Sequence, residues 1–376
     1  VRRELSPPRN NWQARVESRG FAFHTLDGKP YWDETACYVF ARAEIDAIEK
    51  ATDALHAMCL TLVQRVIDEK LYGLFLIPPA FEPFVERSWN EDERSLYGRF
   101  DFAYDGTGPP KLLEYNADTP TGLLEASVIQ WDWLQDTDPA GDQFNSIDER
   151  LVETAWPALL EQQEGPITFV GLTEQLEDLT TLEYLRDAAV RAGATTGLLD
   201  IAAVSWDGRR KTFVDGNRRP LDRVFKLYPW EWLLKDEFGK NLLTATTRWI
   251  EPPWKMVLSS KSILPLLWEM FPESPYLLPA SFSQLPGDHV RKPVHAREGA
   301  NIQAVRDGQV IAETAGPYDE RAVVYQQLAP VKAFDGRYPV VGSWVVHGWA
   351  CGLGVREDDT IITQNGSRFV PHKMGS

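Results

Sequence analysis

Cysteine is scarce in this chain. Cys37, Cys59 and Cys351 are its only thiols, and no two stand in CxxC spacing. They build neither a disulfide framework nor a zinc site, and they suit a reducing compartment. Long apolar runs are missing as well: nothing approaches the ~18 consecutive apolar residues of a membrane span. The opening residues VRRELSPPRNNWQ lack the apolar centre of a secretory leader. A cytoplasmic location is expected. Positive charge is also short. Lys+Arg number 39 against 55 Asp+Glu, a net charge of −16 and a pI near 4.9. A surface of that sign repels phosphate backbones, so neither nucleic acid nor a membrane is expected as a partner. No GxGxxG is present, so a dinucleotide site is not indicated.

What is present is ordinary globular material. The 376 residues are 43% hydrophobic and 25% charged, and the length suits two or three packed units. About three-quarters of the unfolded surface can be buried at this size. Three regions are expected: residues 1–165, an α/β unit at 166–245, and a C-terminal region at 246–376. In the first, apolar residues from Ile45 to Ile67 recur at three- and four-residue steps, predicting a long core-facing helix over about Arg42–Leu71. In the second, ITFVG predicts a strand, Glu177–Ala192 a helix, and TTGLLDI and RVFKLY two further strands, as in a parallel crossover unit. In the third, a short helix at Ile263–Trp268 precedes several β segments. These are HVRKPV, NIQAVRDGQVIAET, AVVYQQLAP, PVVGSWVVHGWACGLGVRE and TIITQN, with turns at Asp307-Gly308 and His347-Gly348. The fold class is α/β plus α+β.

The stretch GRFDFAYDGTGPPKLLEYNADTPTGLLEAS, from Gly98 to Ser127, carries the chemistry. RFDFAY and KLLEYN predict a hairpin around DGTGPP, residues 98–117. Alternation sets Arg99, Asp101 and Ala103 on one face and Phe100, Phe102 and Tyr104 on the other. In the second strand Leu112, Glu114 and Asn116 are expected to share a face, with Leu113 and Tyr115 opposite. A turn centred on Thr107-Gly108 makes Asp101 face Glu114 and Arg99 face Asn116. Opposed carboxylates repel unless something cationic lies between them. Asp101, Glu114 and Asn116 offer three oxygens, a half-shell suited to Mg²⁺. Arg99 beside them suits charge on a transferring phosphoryl group. An edge hairpin with a solvated polar side is the plain alternative. A glycosidase is another, with Asp101 and Glu114 as acid and base and some of the 14 Trp as sugar platforms.

Farther along, Lys261 opens a helix and Lys292 lies inside an apolar strand, where an unpaired ammonium is expensive. Polyphosphate would satisfy both. Glu298 and Gly299 lie in the loop HAREGAN, a turn able to lay backbone N–H groups over phosphates. Gln326, Gln327, Leu328 and Ala329 form a strand-to-connector segment with backbone groups suited to an adenine edge. Arg356 ends the strand GLGVRE.

RFDF…LEYNADTPT, followed by WKMVLSSKSILPLLWEMFP, VRKPV…REGANI, YQQL and GLGVRE, resembles the glutathionylspermidine synthase family from about Gly98 to Thr363. The resemblance implies an ATP-grasp-like ligase fold with a Rossmann-like middle unit and an antiparallel lid. It also implies an ATP-dependent carboxylate–amine ligase that works through an acyl phosphate with two Mg²⁺ ions. Under it Asp101, Glu114 and Asn116 look like the metal ligands. Arg99 and Arg356 look like the catalytic arginines, the latter delivered by a mobile loop. Lys261, Lys292, Glu298, Gly299 and Gln326–Ala329 look like the nucleotide contacts. Glu177-Asp178 matches an acidic pair that could hold an amino group, with helix N-terminal stabilisation as its plain alternative. Thr119-Pro120-Thr121 stands where family members carry small serine positions facing the thiol-peptide substrate. With no room for an amidase domain, the stand-alone branch is expected, acting on a small acid and amine that are peptide-like and polyamine-like. A non-catalytic nucleotide-binding homologue is the third possibility. The loops around Arg297–Gly299 and Gly352–Arg356 are expected to close over the site.

Overall fold

The aromatic face of the carboxylate hairpin decides where the molecule's centre lies. In the computed structural model, which describes every residue except 27, 163, 319, 320 and 376, Phe100, Phe102 and Leu112 are fully buried. The Tyr115 ring stacks on Phe100 with centroids 3.8 Å apart. The hairpin strands Tyr97–Ala103 and Lys111–Asn116 form one side of a five-stranded antiparallel sheet. Its other strands, Tyr338–Val346, Trp349–Asp358 and Arg368–Val370, come from the far end of the chain. The helix Arg42–Asp68 packs on this sheet with Ile48, Leu55, Cys59 and Leu62 fully buried. Its Thr52 hydroxyl meets Ser343 Oγ at 2.7 Å. It stops at Asp68, a few residues short of the expected end, because Lys70 adopts left-handed backbone and Leu71–Phe75 tightens into a 3₁₀ turn.

The hairpin register is the expected one where the carboxylates lie: Arg99 opposes Asn116 and Asp101 opposes Glu114. One residue farther a β-bulge intervenes, and Phe102 opposes Leu112. The bulge corrects the expected faces. Leu112 joins Phe100 and Phe102 in the core, and Leu113 turns to the polar side beside Ala103. One extra residue reverses the two-residue alternation beyond it.

The middle unit is a four-stranded parallel sheet in the order Arg248–Ile250, Arg223–Leu227, Ile167–Gly171, Thr196–Asp200. The helix Leu176–Arg191 connects Ile167–Gly171 to its neighbour. Arg248–Ile250 is an edge strand that three residues of sequence pattern could not announce. A second five-stranded antiparallel sheet, in the order Ala280–Ser281, Val323–Gln327, His289–Pro293, Gln303–Arg306, Gln309–Glu313, forms the C-terminal cover. Both predicted turns carry two successive positive-φ residues, Asp307-Gly308 and His347-Gly348, the geometry that matches strand twist in two-residue hairpins.

Two β-region expectations are corrected. TIITQN is not a strand. It forms a loop whose amides are taken locally: Thr360 N–H donates to Asp358 Oδ1 and Gln364 N–H to Ser367 Oγ. Such side-chain acceptors compete with a ladder. Nor is Gly352–Arg356 a closing loop. It lies inside Trp349–Asp358, with Arg356 paired to Val340 on one side and Phe369 on the other. Its glycines serve close approach rather than turning, since a Cβ on Gly354 would collide with the Phe369 ring. Among the described residues no helix is long and apolar enough to cross a membrane.

Candidate active site

Strand alternation projects Arg99, Asp101, Glu114 and Asn116 from one face, and that face is not open to solvent: Asp101 is 9% exposed. Arg99 forks onto Asp101, Nε to Oδ1 at 2.6 Å and Nη2 to Oδ2 at 3.0 Å. Its Nη1 donates to the Thr121 carbonyl at 2.7 Å, and the guanidinium lies 5.5 Å from the Trp344 ring centre. The Asn116 amide donates to Asp101 Oδ2 and Glu114 Oε1, both at 3.1 Å. The opposed carboxylates are therefore tied through one amide. Lys261 completes the row, its Nζ 2.7 Å from Glu114 Oε2 and 2.6 Å from the Ala296 carbonyl.

Lys292 solves its burial differently. Its ammonium donates to the Leu113 carbonyl at 2.9 Å and to Gln326 Oε1 at 2.8 Å. Gln326 in turn donates to the Leu112 carbonyl at 2.8 Å. The bulge that turned Leu113 outward thus supplies a carbonyl to the lysine. Burial lowers the Lys292 ammonium to about 8, against the pull of Glu114. Burial would raise Glu114, but Lys261, Lys292 and Asn116 together hold its carboxyl down at about 2. For Asp101 burial pushes up and Arg99 pulls down, with burial the larger effect.

Two clefts meet at this row. One, of about 760 Å³, lies between the cover sheet and the hairpin. Its walls include Lys292, Gln326, Gln327, Leu328, Ala329 and Gly299, with apolar Ile302 and Ile362. The second, of about 1260 Å³, holds Arg99, Asn116, Thr119, Thr121, Glu177, Asp178, Glu298 and Arg356. Asp101, Glu114 and Gly299 line both. Lys261 faces a smaller recess that Glu114 and Asn116 also line. Every residue singled out from sequence therefore lies on one connected surface. In the connector, the Gln327 and Leu328 amides already donate to the Pro279 and Asp288 carbonyls, at 2.8 and 3.1 Å. Arg356 donates to the Gln364 and Asn365 carbonyls at 2.7 and 3.0 Å, and its buried Nε has no hydrogen-bond partner among the described residues.

The second cleft is acidic at its far end. Burial and then the charge of Glu177 push the Asp178 carboxyl up to about 7. Glu125, absent from the sequence expectations, is 1% exposed and accepts from the Tyr31 hydroxyl at 3.0 Å. Burial, then Glu177, brings it to about 7 as well. Nothing local in LLEAS marks that glutamate. Arg297 was expected only as the start of a closing loop, with no contact assigned to its side chain, although its place beside Glu298-Gly299 in REGAN was a usable signal. It reaches across to Thr119 Oγ1 at 2.9 Å and to Glu231 at 2.8 Å.

The Asn116 amide nitrogen draws the two carboxylates together at the hairpin; with that amide turned to present its oxygen, the three side chains form an all-oxygen set that fits a hard divalent cation such as Mg²⁺. A sequence profile described as glutathionylspermidine synthase preATP-grasp matches residues 3–375. The chain belongs to the glutathionylspermidine synthase family. A Haemophilus influenzae protein bearing the name of an acid–amine ligase is 42% identical, with 97% of each chain covered. The trypanothione synthetase of Crithidia fasciculata is 30% identical over 84% of this chain and 53% of its own length. The bifunctional glutathionylspermidine synthetase/amidase of Escherichia coli is 28% identical over 89% and 58%. The chain thus spans little more than half the length of those two relatives. Among solved structures, a glutathione synthetase-like effector of Globodera pallida superposes with a TM-score of 0.58 at 11% identity, covering 90% of this chain and 89% of that one. This is a likeness of fold. Membership in the glutathionylspermidine synthase family places the protein among carbon–nitrogen ligases and sets the glycosidase alternative aside.

Proposed function

We propose that this protein is an ATP- and Mg²⁺-dependent acid–amine ligase of ATP-grasp-like fold that forms an amide through an acyl phosphate. The observation that carries the proposal is the meeting of two clefts at Asp101 and Glu114. One has an apolar pocket with lysine at its inner end; the other has arginines near the hairpin and carboxylates beyond. The three regions 1–165, 166–245 and 246–376 are proposed as hairpin region, substrate-side unit and lid.

The adenine is assigned to the Gln326–Ala329 connector, and Lys261 and Lys292 hold the phosphates beneath the Glu298-Gly299 loop. Asp101, Glu114 and Asn116 would hold Mg²⁺, two ions being proposed, and the metal's contribution is to neutralise phosphate charge. The acid's carboxylate lies in the second cleft near Thr119 and Thr121 and attacks the γ-phosphorus, forming the acyl phosphate as the bond from that phosphorus to the β-phosphate oxygen breaks and ADP leaves. Arg99 and Arg356 then face the charge spreading over the transferring oxygens, a contribution worth ~10³–10⁵ in rate for arginines so placed. Glu177 and Asp178 hold a cationic part of the amine. Its neutral nitrogen attacks the acyl carbon, phosphate leaves, and the amide nitrogen loses a proton. Peptide-like acids and polyamine-like amines fit this division of charge. A cytoplasmic location suits the three cysteines, all free and buried.

The test is phosphate release from Mg·ATP across acid and amine libraries. Turnover is expected only with both partners, and Glu114→Ala is expected to abolish it while leaving the circular dichroism spectrum intact. Undiminished turnover in that variant would remove the metal assignment. Nucleotide binding with no turnover under any pair would favour the non-catalytic homologue.

A further inference from the structure

Glu231 lines neither cleft, yet it is tied to the loop that separates them. It lies in the short helix Trp230–Leu233 of the middle unit. Two nitrogens of Arg297, Nε and Nη2, donate to its Oε1 at 3.1 and 2.8 Å. The third arm of that guanidinium, Nη1, donates to Thr119 Oγ1. The pair is well shielded, with side-chain exposures of 21% for Arg297 and 11% for Glu231. One residue before Glu231, the Trp230 amide donates to Asp118 Oδ2 at 2.9 Å. The anchor is therefore itself fixed to the exit of the carboxylate hairpin.

The tethered loop is a partition. Gly299, two residues past Arg297, borders both clefts. Its backbone is left-handed, and a Cβ there would collide with the Thr363 carbonyl. It is pressed against the 359–367 loop on one side and held by Arg297 on the other.

We infer that Glu231 is a positioning residue: by holding Arg297 it fixes the Arg297–Gly299 partition across the two clefts and keeps water from the acyl phosphate. The inference rests on the ligase reading. In the productive step the amine nitrogen bonds to the acyl carbon, the carbon–oxygen bond to phosphate breaks, and a proton leaves the nitrogen. If the partition swings away, a water oxygen takes the nitrogen's place. Acid and phosphate are then released, and ATP is consumed without an amide. Closure of this kind is what reactive intermediates require.

Two readouts on Glu231→Gln test it. The first, hydrogen exchange of residues 294–302 in the full-length protein with and without Mg·ATP, needs no turnover. Exchange is expected to accelerate about tenfold in Glu231→Gln and in Arg297→Lys, with the rest of the chain unchanged. Unaltered exchange in both variants overturns the tether, whether or not the protein ligates anything. The second is ADP formed per amide with whichever acid and amine support turnover. The ratio is expected to rise above one in Glu231→Gln with the KM for ATP unchanged, and to fall back toward one in Glu231→Asp. A ratio that stays at one overturns the water-excluding role. Failure of every acid–amine pair in the unmodified protein instead removes the ligase reading and leaves the exchange result to decide the tether alone.

Discussion

Lys292 shows how far a single residue's chemistry was written in its neighbours. An ammonium in VRKPV had to find acceptors, and it finds them in the Leu113 carbonyl and Gln326. Its depression to about 8 follows from burial and from Lys261 nearby. This gives a pH prediction with a definite sign. A triphosphate favours the charged ammonium, so nucleotide binding raises that value. Below about 8 the free protein already carries the proton, and affinity is flat. Above it each binding event must take up a proton, and affinity falls as pH rises, by up to about tenfold per unit. Calorimetry with Mg·ATP at several pH values, in buffers of different ionisation enthalpy, is expected to show proton uptake above pH 8. An affinity independent of pH up to 10 would exclude Lys292 from the phosphate site. Glu125 is the contrary case. Its neighbours Tyr31 and Glu177 are far away in sequence, and no local pattern identifies it.

At the scale of elements, the long helix, the crossover unit, the two tight turns and the register of Asp101 against Glu114 were all legible, because periodicity and turn residues are local. Two of the three misses turned on contacts distant in sequence, and the third on side-chain acceptors beside the segment. The bulge after Asp101 exchanges the faces of Leu112 and Leu113, and it depends on how the hairpin lies against the cover sheet. Gly352 and Gly354 looked like turn residues, yet they admit Ile147 and Phe369 against the strand. TIITQN has strand composition, but local side-chain acceptors take its amides. One pair joins elements outright. Lys226 on the middle sheet and Asp118 at the hairpin exit are both fully buried and 2.5 Å apart. Lys226→Met is expected to leave Asp118 buried and uncompensated, costing about 3–5 kcal/mol. Urea denaturation followed by tryptophan fluorescence measures this, and a loss below ~1 kcal/mol would mean the pair is not the joint between these elements.

Across the whole molecule, both candidate clefts are made from segments distant in sequence. The first cleft draws on the hairpin, the cover sheet and the 359–367 loop, and the second cleft adds the middle unit. A ligand spanning these segments stabilises the folded chain by mass action, about 2.7 kcal/mol at a hundredfold excess over Kd. Mg·ATP is accordingly expected to raise Tm by several degrees, and Lys292→Ala to remove most of that rise. An equal rise in the variant would place the nucleotide elsewhere. The order of amino acids alone set the chemistry available: a hairpin with one aromatic and one ionic face, buried lysines, a glycine-bearing loop and a family pattern running through them. These follow from residue type and short-range spacing. Packing between separate segments settled the rest: Arg356 is paired on both sides within its strand and not carried on a mobile loop, Glu125 is buried on the Tyr31 hydroxyl, and Glu231 reaches the partition through Arg297. Those contacts join residues up to 94 positions apart, and burial and charge pairing between packed elements, not local preference, select them.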